Sequence, residues 1–330
     1  MSEKKTVRLY ACGGAAVNIA KPLYVTSQGT EAGFAEFSVT YVDTSRSNIG
    51  NHAEDAFYLI QGQGDTVVDG SGKVRETNYA ASSLAVPDIL HQFKPADLNI
   101  VLHSASGGSG SILGPILASE LIAQGKNVIV MMIGSTTCEQ EIRNTINTVL
   151  SYQGISQKRS KPVNVFYFEN GHTGSMREND STVLIYLMIL AAAWSGKNLG
   201  LDSKDLENFL NYDRVSKYPA ALTGLIIRSK GEKIEFQKGQ AISSVVSLIR
   251  DSEDPHPGMV VGYHSYGILS EAASMAIKLP SPIHLCTLQG FFAEIISRLQ
   301  AALASAEELY RVNQVAQVKV TNAQDDGLVL

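Results

Sequence analysis

The chain has little of what marks a disulfide-stapled, membrane-spanning or nucleic-acid-binding protein. Its 330 residues include three cysteines, Cys12, Cys138 and Cys286, far apart and with no C-x-x-C pair. That excludes a disulfide framework and a thiolate zinc site, and it suits a reducing compartment. The longest apolar run, residues 182–194, is thirteen residues, short of the roughly 20 that cross a bilayer. No uninterrupted apolar stretch precedes Gly13 and Gly14, so no signal peptide is expected. Basic residues form no long block and the net charge is −5, so neither direct contact with nucleic acid nor with an anionic membrane is expected. The seven histidines show no H-E-x-x-H spacing, and no metal-ligating protein site is expected. The serines form no G-x-S-x-G, which argues against serine-hydrolase chemistry.

What remains is a globular chain, 44% hydrophobic and 18% charged, long enough for two domains or one large domain with an appendage. Short β-rich runs at 7–11, 37–42, 98–103, 128–133 and 163–168 alternate with helix-compatible stretches such as 114–124 and 139–152. Such alternation predicts βαβ units and a parallel sheet covered by helices on both faces. Ligands on such sheets sit at the carboxyl ends of the strands, and four of the runs end in small or polar loops that would crowd that edge. The run 182–194 is apolar all round, which predicts a helix buried on every side, with Asp180, Ser181 and Thr182 as cap candidates. Beyond it, strands are expected at 221–228, 233–236 and 259–263, with helices at 241–250 and 270–278, forming a smaller α/β domain. A long amphipathic segment then runs from 288 to about 315, and the chain closes on Asp325-Asp326-Gly327-Leu328-Val329-Leu330.

The most informative stretch is His103-Ser104-Ala105-Ser106-Gly107-Gly108-Ser109-Gly110-Ser111-Ile112-Leu113-Gly114-Pro115, which follows an apolar strand and opens a helix. A Gly/Ser run there lets backbone N–H groups wrap an anion while the helix N-terminus adds partial positive charge. A P-loop does not fit, because Lys73 in Gly70-Ser71-Gly72-Lys73-Val74 lacks both the spaced glycine and the following hydroxyl residue. A dinucleotide fingerprint does not fit either, since the first turn reads Gly13-Gly14-Ala15-Ala16-Val17-Asn18. Cys12 lies beside that turn, either near a bound nucleotide or simply as a small buried residue.

The stretch Ser106-Gly107-Gly108-Ser109-Gly110-Ser111-Ile112 does resemble the G-G-[GS]-[TS]-G-[ST]-G signature of the tubulin/FtsZ superfamily, with Ser106 and Ile112 in place of the two end glycines. Leu113-Gly114-Pro115 after it and the acidic-apolar terminus are most similar to the phage-encoded tubulins. The resemblance implies a parallel-sheet GTP-binding domain (1–178), a long central core helix (179–199), a smaller α/β second domain (200–285), and a C-terminal helix with a tail (286–330). It implies GTP/GDP and Mg²⁺ as cofactors, with phosphates near Gly13, Gly14, Asn18, Asp43 and Ser106 to Ser111. Gly70, Ser71 and Gly72 resemble a γ-phosphate-sensing loop, or are a plain hairpin turn. Glu139 and Arg143 resemble a ribose-contacting acid and a phosphate-contacting arginine, or are a surface i,i+4 pair. Asn170, Asn179 and Asp180 resemble base-contacting positions that would select guanine, although Asp180 also suits a helix cap.

In Gly200-Leu201-Asp202-Ser203-Lys204-Asp205, Asp202 and Asp205 match the two acidic positions of the family's N-x-D-x-x-[DE] loop, with Gly200 replacing the asparagine. The resemblance makes them catalytic on the nucleotide of the next subunit. Read without it, Asp202 is an N-cap and Asp205 a first-turn acid. The implied function is a head-to-tail filament whose GTP hydrolysis requires assembly, with the tail Asp325–Leu330 docking on neighbouring copies. By resemblance it works in the cytoplasm of an infected bacterium, positioning phage DNA or its compartment. A plasmid-partitioning filament, or a monomeric nucleotide-dependent enzyme, is the alternative.

Overall fold

The computed structural model describes residues 5–26, 33–48, 54–61, 72, 75, 78–171, 175–232 and 235–324. Its first part alternates strand and helix: β1 (Thr6–Cys12), α1 (Gly14–Thr26), β2 (Glu36–Asp43), β3 (Phe57–Leu59), α2 (Tyr79–Gln92), β4 (Leu98–Ser104), α3 (Ser109–Ala123), β5 (Val128–Ser135), α4 (Glu139–Arg159) and β6 (Val163–Asn170). All five strands expected in this region are present. With β3, which was not expected, they pair in parallel in the order β3-β2-β1-β4-β5-β6. Alternate residues of β1 point to opposite faces, as a pleated strand requires. Leu9 and Ala11 join the core with α1 and with the helix that follows β6, whereas Tyr10 and Cys12 join α2, α3 and α4. Burial on both faces is why these strands read as continuous apolar runs.

That following helix, α5 (Met176–Ala193), starts earlier than its apolar stretch implies. Its cap is Ser175, in a capping box with Glu178, rather than Asp180, Ser181 or Thr182. It is buried on every side only in its second half. Ile185 is 39% exposed, because the first half keeps one face toward solvent. After α5 come α6 (Ser203–Leu210), β7 (Leu222–Arg228), β8 (Ala241–Ile249), β9 (Tyr263–Ile268), α7 (Glu271–Ala276), β10 (Ile283–Gln289) and α8 (Phe291–Gln324). β7 pairs in parallel with β6 through Val163–Leu222 and Asn164–Thr223, so a single ten-stranded sheet continues as β7-β10-β8-β9. β10 is antiparallel to both of its neighbours.

This second half departs from expectation in three places. Residues 241–250 form no helix; Ala241–Ile249 is a central strand buried along almost its whole length. Its serines face the interior, where Ser244 and Thr287 hydroxyls lie 2.7 Å apart, so it lacks the alternation of a half-exposed strand. No strand forms at 259–262, where Val260 is almost fully exposed; pairing starts at Tyr263. Glu235 and Phe236 belong to no strand, and Lys233 lies outside the described residues. No helix among the described residues is long and apolar enough to cross a membrane.

Candidate nucleotide-binding site

The carboxyl ends of β1, β2 and β4 meet through glycines. Gly13 has a φ of +82°, and its N–H donates to the Val42 carbonyl at 2.8 Å. A Cβ on Gly13 would come within 3.0 Å of the Gly110 nitrogen, and one on Gly110 within 2.8 Å of the Cys12 carbonyl oxygen. The first loop and the glycine-rich loop are therefore in backbone contact, a closeness that only glycine allows. Ser109, Gly110 and Ser111 are already the first turn of α3, and Gly108 stands at the N-cap, where a glycine has no side chain to cap the first amides. The cradle thus combines small residues with a helix N-terminus whose N–H groups and dipole favour an anion. Its donors and its shape fit a phosphate.

Polar side chains brace the cradle. Asp43, buried at the end of β2, accepts from the Thr44 N–H and from Asn48 Nδ2, both at 2.7 Å. Burial raises its pKa against the pull of those hydrogen bonds. The Thr44 and Ser109 hydroxyls lie 2.7 Å apart, tying the β2 loop to α3. Asn18 is exposed on α1, one turn beyond Gly14. Of the Gly70–Gly72 loop only Gly72 is among the described residues, and nothing lies within 4 Å of where its Cβ would be.

At the carboxyl end of β6, the Asn170 and Asn179 side chains meet. Asn179 Nδ2 donates to Asn170 Oδ1 at 2.7 Å and to the Glu169 carbonyl at 2.8 Å. Asp180, next along α5, is half-buried, which raises its pKa. Glu139 and Arg143 form the exposed i,i+4 pair at 2.9 Å, and Arg143 also pairs with Glu307 of α8. The α4 side chains that reach the glycine-rich loop are Asn144, whose Nδ2 donates to the Ser106 carbonyl at 3.0 Å, and Thr148, which donates to the Ala105 carbonyl at 3.1 Å.

Asp202 and Asp205 lie beyond the opposite end of α5, whose 18 residues span about 27 Å. They form a capping box. Asp202 Oδ1 accepts from the N–H groups of Lys204 and Asp205 at 2.7 and 2.9 Å, and Asp205 Oδ2 accepts from the Asp202 N–H at 3.2 Å. Tyr263 donates to Asp205 Oδ1 at 2.8 Å. The capping role is therefore real; it leaves Asp202 exposed and Asp205 half-buried.

No protein-family model matches the chain. The phage tubulin-like protein of Pseudomonas phage phiKZ is 29% identical over 263 residues, covering 77% of this chain and 76% of that protein. Its counterpart in Pseudomonas phage PhiPA3 is 28% identical over 215 residues, covering 65% of this chain and 63% of that protein. Among solved structures, a protofilament of TubZ from bacteriophage PhiKZ superposes with a TM-score of 0.79 at 24% identity, over 94% of this chain and 93% of that one. The phage tubulin PhuZ with GDP gives 0.80 at 20% identity, over 92% of each chain. The chain has the tubulin/FtsZ fold and is similar to the phage tubulin-like proteins.

In this tubulin-like frame several site residues carry no sequence signature. Arg75 is buried and donates to the Asn144 carbonyl at 3.2 Å, to Ser151 at 3.4 Å and to the Thr148 hydroxyl. It ties α4, and through Asn144 and Thr148 the glycine-rich loop, to the segment before α2. The polar i,i+4 spacing of Asn144 and Thr148 was the available signal. Beneath the loop, His103 is fully buried, with Nε2 2.7 Å from the Tyr152 hydroxyl. Its ring occupies the space that a Cβ on Gly114 would need, 2.5 Å away. Burial pushes the imidazole pKa down to about 4, so it stays neutral near pH 7.

Proposed function

We propose that this phage tubulin-like chain is a GTPase that assembles head to tail into dynamic filaments. One observation carries the reading: the glycine cradle lies on the carboxyl edge of the parallel sheet, from which α5 starts, and the Asp202/Asp205 pair lies beyond the other end of that helix, whose 18 residues span about 27 Å. The two can act together only between copies. A contact of one end on the other is heterologous and does not close, so it propagates as an open filament. The solved phage protofilament and the GDP-bound phage tubulin, similar to this chain in fold, support assembly and the nucleotide class respectively.

In this reading the amides around Gly13 and Gly107–Gly110 hold phosphate, and Asn170, Asn179 and Asp180 face the guanine. Gly72 and its neighbours, with the Glu139/Arg143 pair, complete the surround. Asp202 and Asp205 of the next copy orient the attacking water and accept its proton. The bound triphosphate with Mg²⁺ supplies the leaving group and the charge neutralisation that phosphoryl transfer needs. The tail Asp325–Leu330, outside the described residues, docks on a neighbouring copy. The division into a nucleotide domain (1–178), core helix (179–199), second domain (200–285) and C-terminal segment (286–330) belongs to the same proposal. So does the setting, the cytoplasm of an infected bacterium, where the filament positions phage DNA or its compartment.

Light scattering with parallel phosphate release, titrating protein at fixed GTP-Mg²⁺ and again with ATP, tests the reading. Scattering and GTP turnover are expected to rise together above a threshold concentration. Turnover linear in protein from the lowest concentration, without scattering, would overturn the cross-subunit site in favour of a monomeric enzyme. Scattering without turnover would leave a filament that binds nucleotide and does not hydrolyse it.

A further inference from the structure

The C-terminal helix reaches the base end of the site through one side chain. Arg298, two turns into α8, makes a two-pronged contact with Glu169, Nη1 to Oε1 at 2.6 Å and Nη2 to Oε2 at 2.7 Å. The Glu169 side chain is only 6% exposed, whereas that of Arg298 keeps 42%. Tyr167 also donates to Oε2, at 2.7 Å. The Glu169 main chain has a different partner. Its carbonyl accepts from Asn179 Nδ2, the same amide that donates to Asn170 Oδ1. Glu169 is thus held by α8 at its carboxylate and by α5 at its carbonyl, and Asn170 is the next residue along β6.

We infer that Arg298 is a positioning residue for the amides of Asn170 and Asn179, acting through Glu169. The inference rests on the reading of this edge as a guanine-nucleotide site. Fastening α8 to the body does not require the ion pair. Phe292, Ile295 and Leu299 of the same helix are already buried against the sheet, and their apolar burial holds the helix down. A carboxylate taken out of water is a poor fastener by comparison, because desolvation offsets much of the attraction. What a two-pronged arginine adds is direction: two parallel hydrogen bonds fix the plane of the carboxylate. With that plane fixed, the last residues of β6 cannot turn, and the Asn170 amide stays aligned with Asn179. Without Arg298 the buried carboxylate moves toward water and takes the end of β6 with it.

The test is equilibrium binding of GDP and of inosine diphosphate, which differ only in the exocyclic 2-amino group, to the full chain and its variants. Arg298→Gln should lower the preference for GDP over inosine diphosphate by roughly three- to tenfold, the worth of one neutral hydrogen bond. Arg298→Lys, which keeps the charge and loses the fork, should recover part of it. Arg311→Gln, farther along α8 in an exposed pair with Glu308, should leave the preference unchanged. If Arg298→Gln fails to fold, the neutral pair Glu169→Gln with Arg298→Gln leaves no buried charge unpaired and should show the same loss. An unaltered preference in a variant that merely melts earlier would overturn the inference and reduce the pair to a fastener. A native chain that binds no GDP would overturn the reading of the site itself, and the inference with it.

Discussion

At Gly110, a methyl group would sit 2.8 Å from the Cys12 carbonyl oxygen, closer than a carbon can approach without backbone movement. Alanine is otherwise the better helix former by about 1 kcal/mol, so Gly110→Ala separates local helix preference from the needs of the cradle. The expected outcome is a folded chain by circular dichroism whose affinity for GTP, followed with a fluorescent analogue, falls by about tenfold or more. His103 makes a second prediction at this scale. Its folded pKa, about 4, lies below the 6.5 of a free imidazole, so the unfolded chain binds more protons between those values. Stability contributed by neutral His103 is complete above about pH 6.5 and is lost as the pH falls toward 4. His284, buried and also pushed down to about 4, acts in the same direction. Melting temperature should therefore fall across that window, and His103→Gln should flatten part of the slope whatever it does to the melting temperature at pH 7.

Among the elements, the strands were legible wherever burial on both faces forced a short apolar run. β1, β2, β4, β5 and β6 all answer to that pattern. β8 did not, because its interior serines are satisfied by Thr287, by the Phe209 carbonyl and by His264 and His284, and a serine-rich run with apolar residues three or four apart imitates a helix. The glycine-rich loop was legible as a strand-to-helix turn, while its last three residues proved to be helix. Asn170 and Asn179 were singled out through resemblance, and their side chains hydrogen-bond to each other. Asn144, Thr148 and Arg75 were not, since tertiary contact alone makes them part of the site. Arg75, through its contacts with Asn144, Thr148 and Ser151, joins α4 to the segment before α2. Arg75→Gln should lower unfolding free energy by about 2 kcal/mol, the scale of a lost charge-assisted hydrogen bond, measured by urea denaturation. It should also weaken nucleotide binding, because Asn144 and Thr148 hold the Ser106 and Ala105 carbonyls.

For the whole molecule, a site divided between copies makes a prediction that no single-subunit enzyme meets. Asp205→Ala keeps the cradle, and Gly110→Ala keeps the acidic loop. Each variant alone should turn over GTP at least about tenfold more slowly than the native chain. Mixed, they should recover part of the rate, because a junction between the two kinds presents an intact cradle to an intact Asp205. Phosphate release from the mixture that equals the average of the separate rates would refute the divided site.

The capping box at Asp202 separates two demands that an acid at a helix start usually conceals. Closing the first turn of α6 asks only for a short oxygen acceptor, which serine, threonine or asparagine supplies as well as aspartate. Orienting and deprotonating water asks for a carboxylate. A population of variants selected for soluble expression should therefore retain all four residues at position 202, and the same population selected for filament turnover should narrow to aspartate.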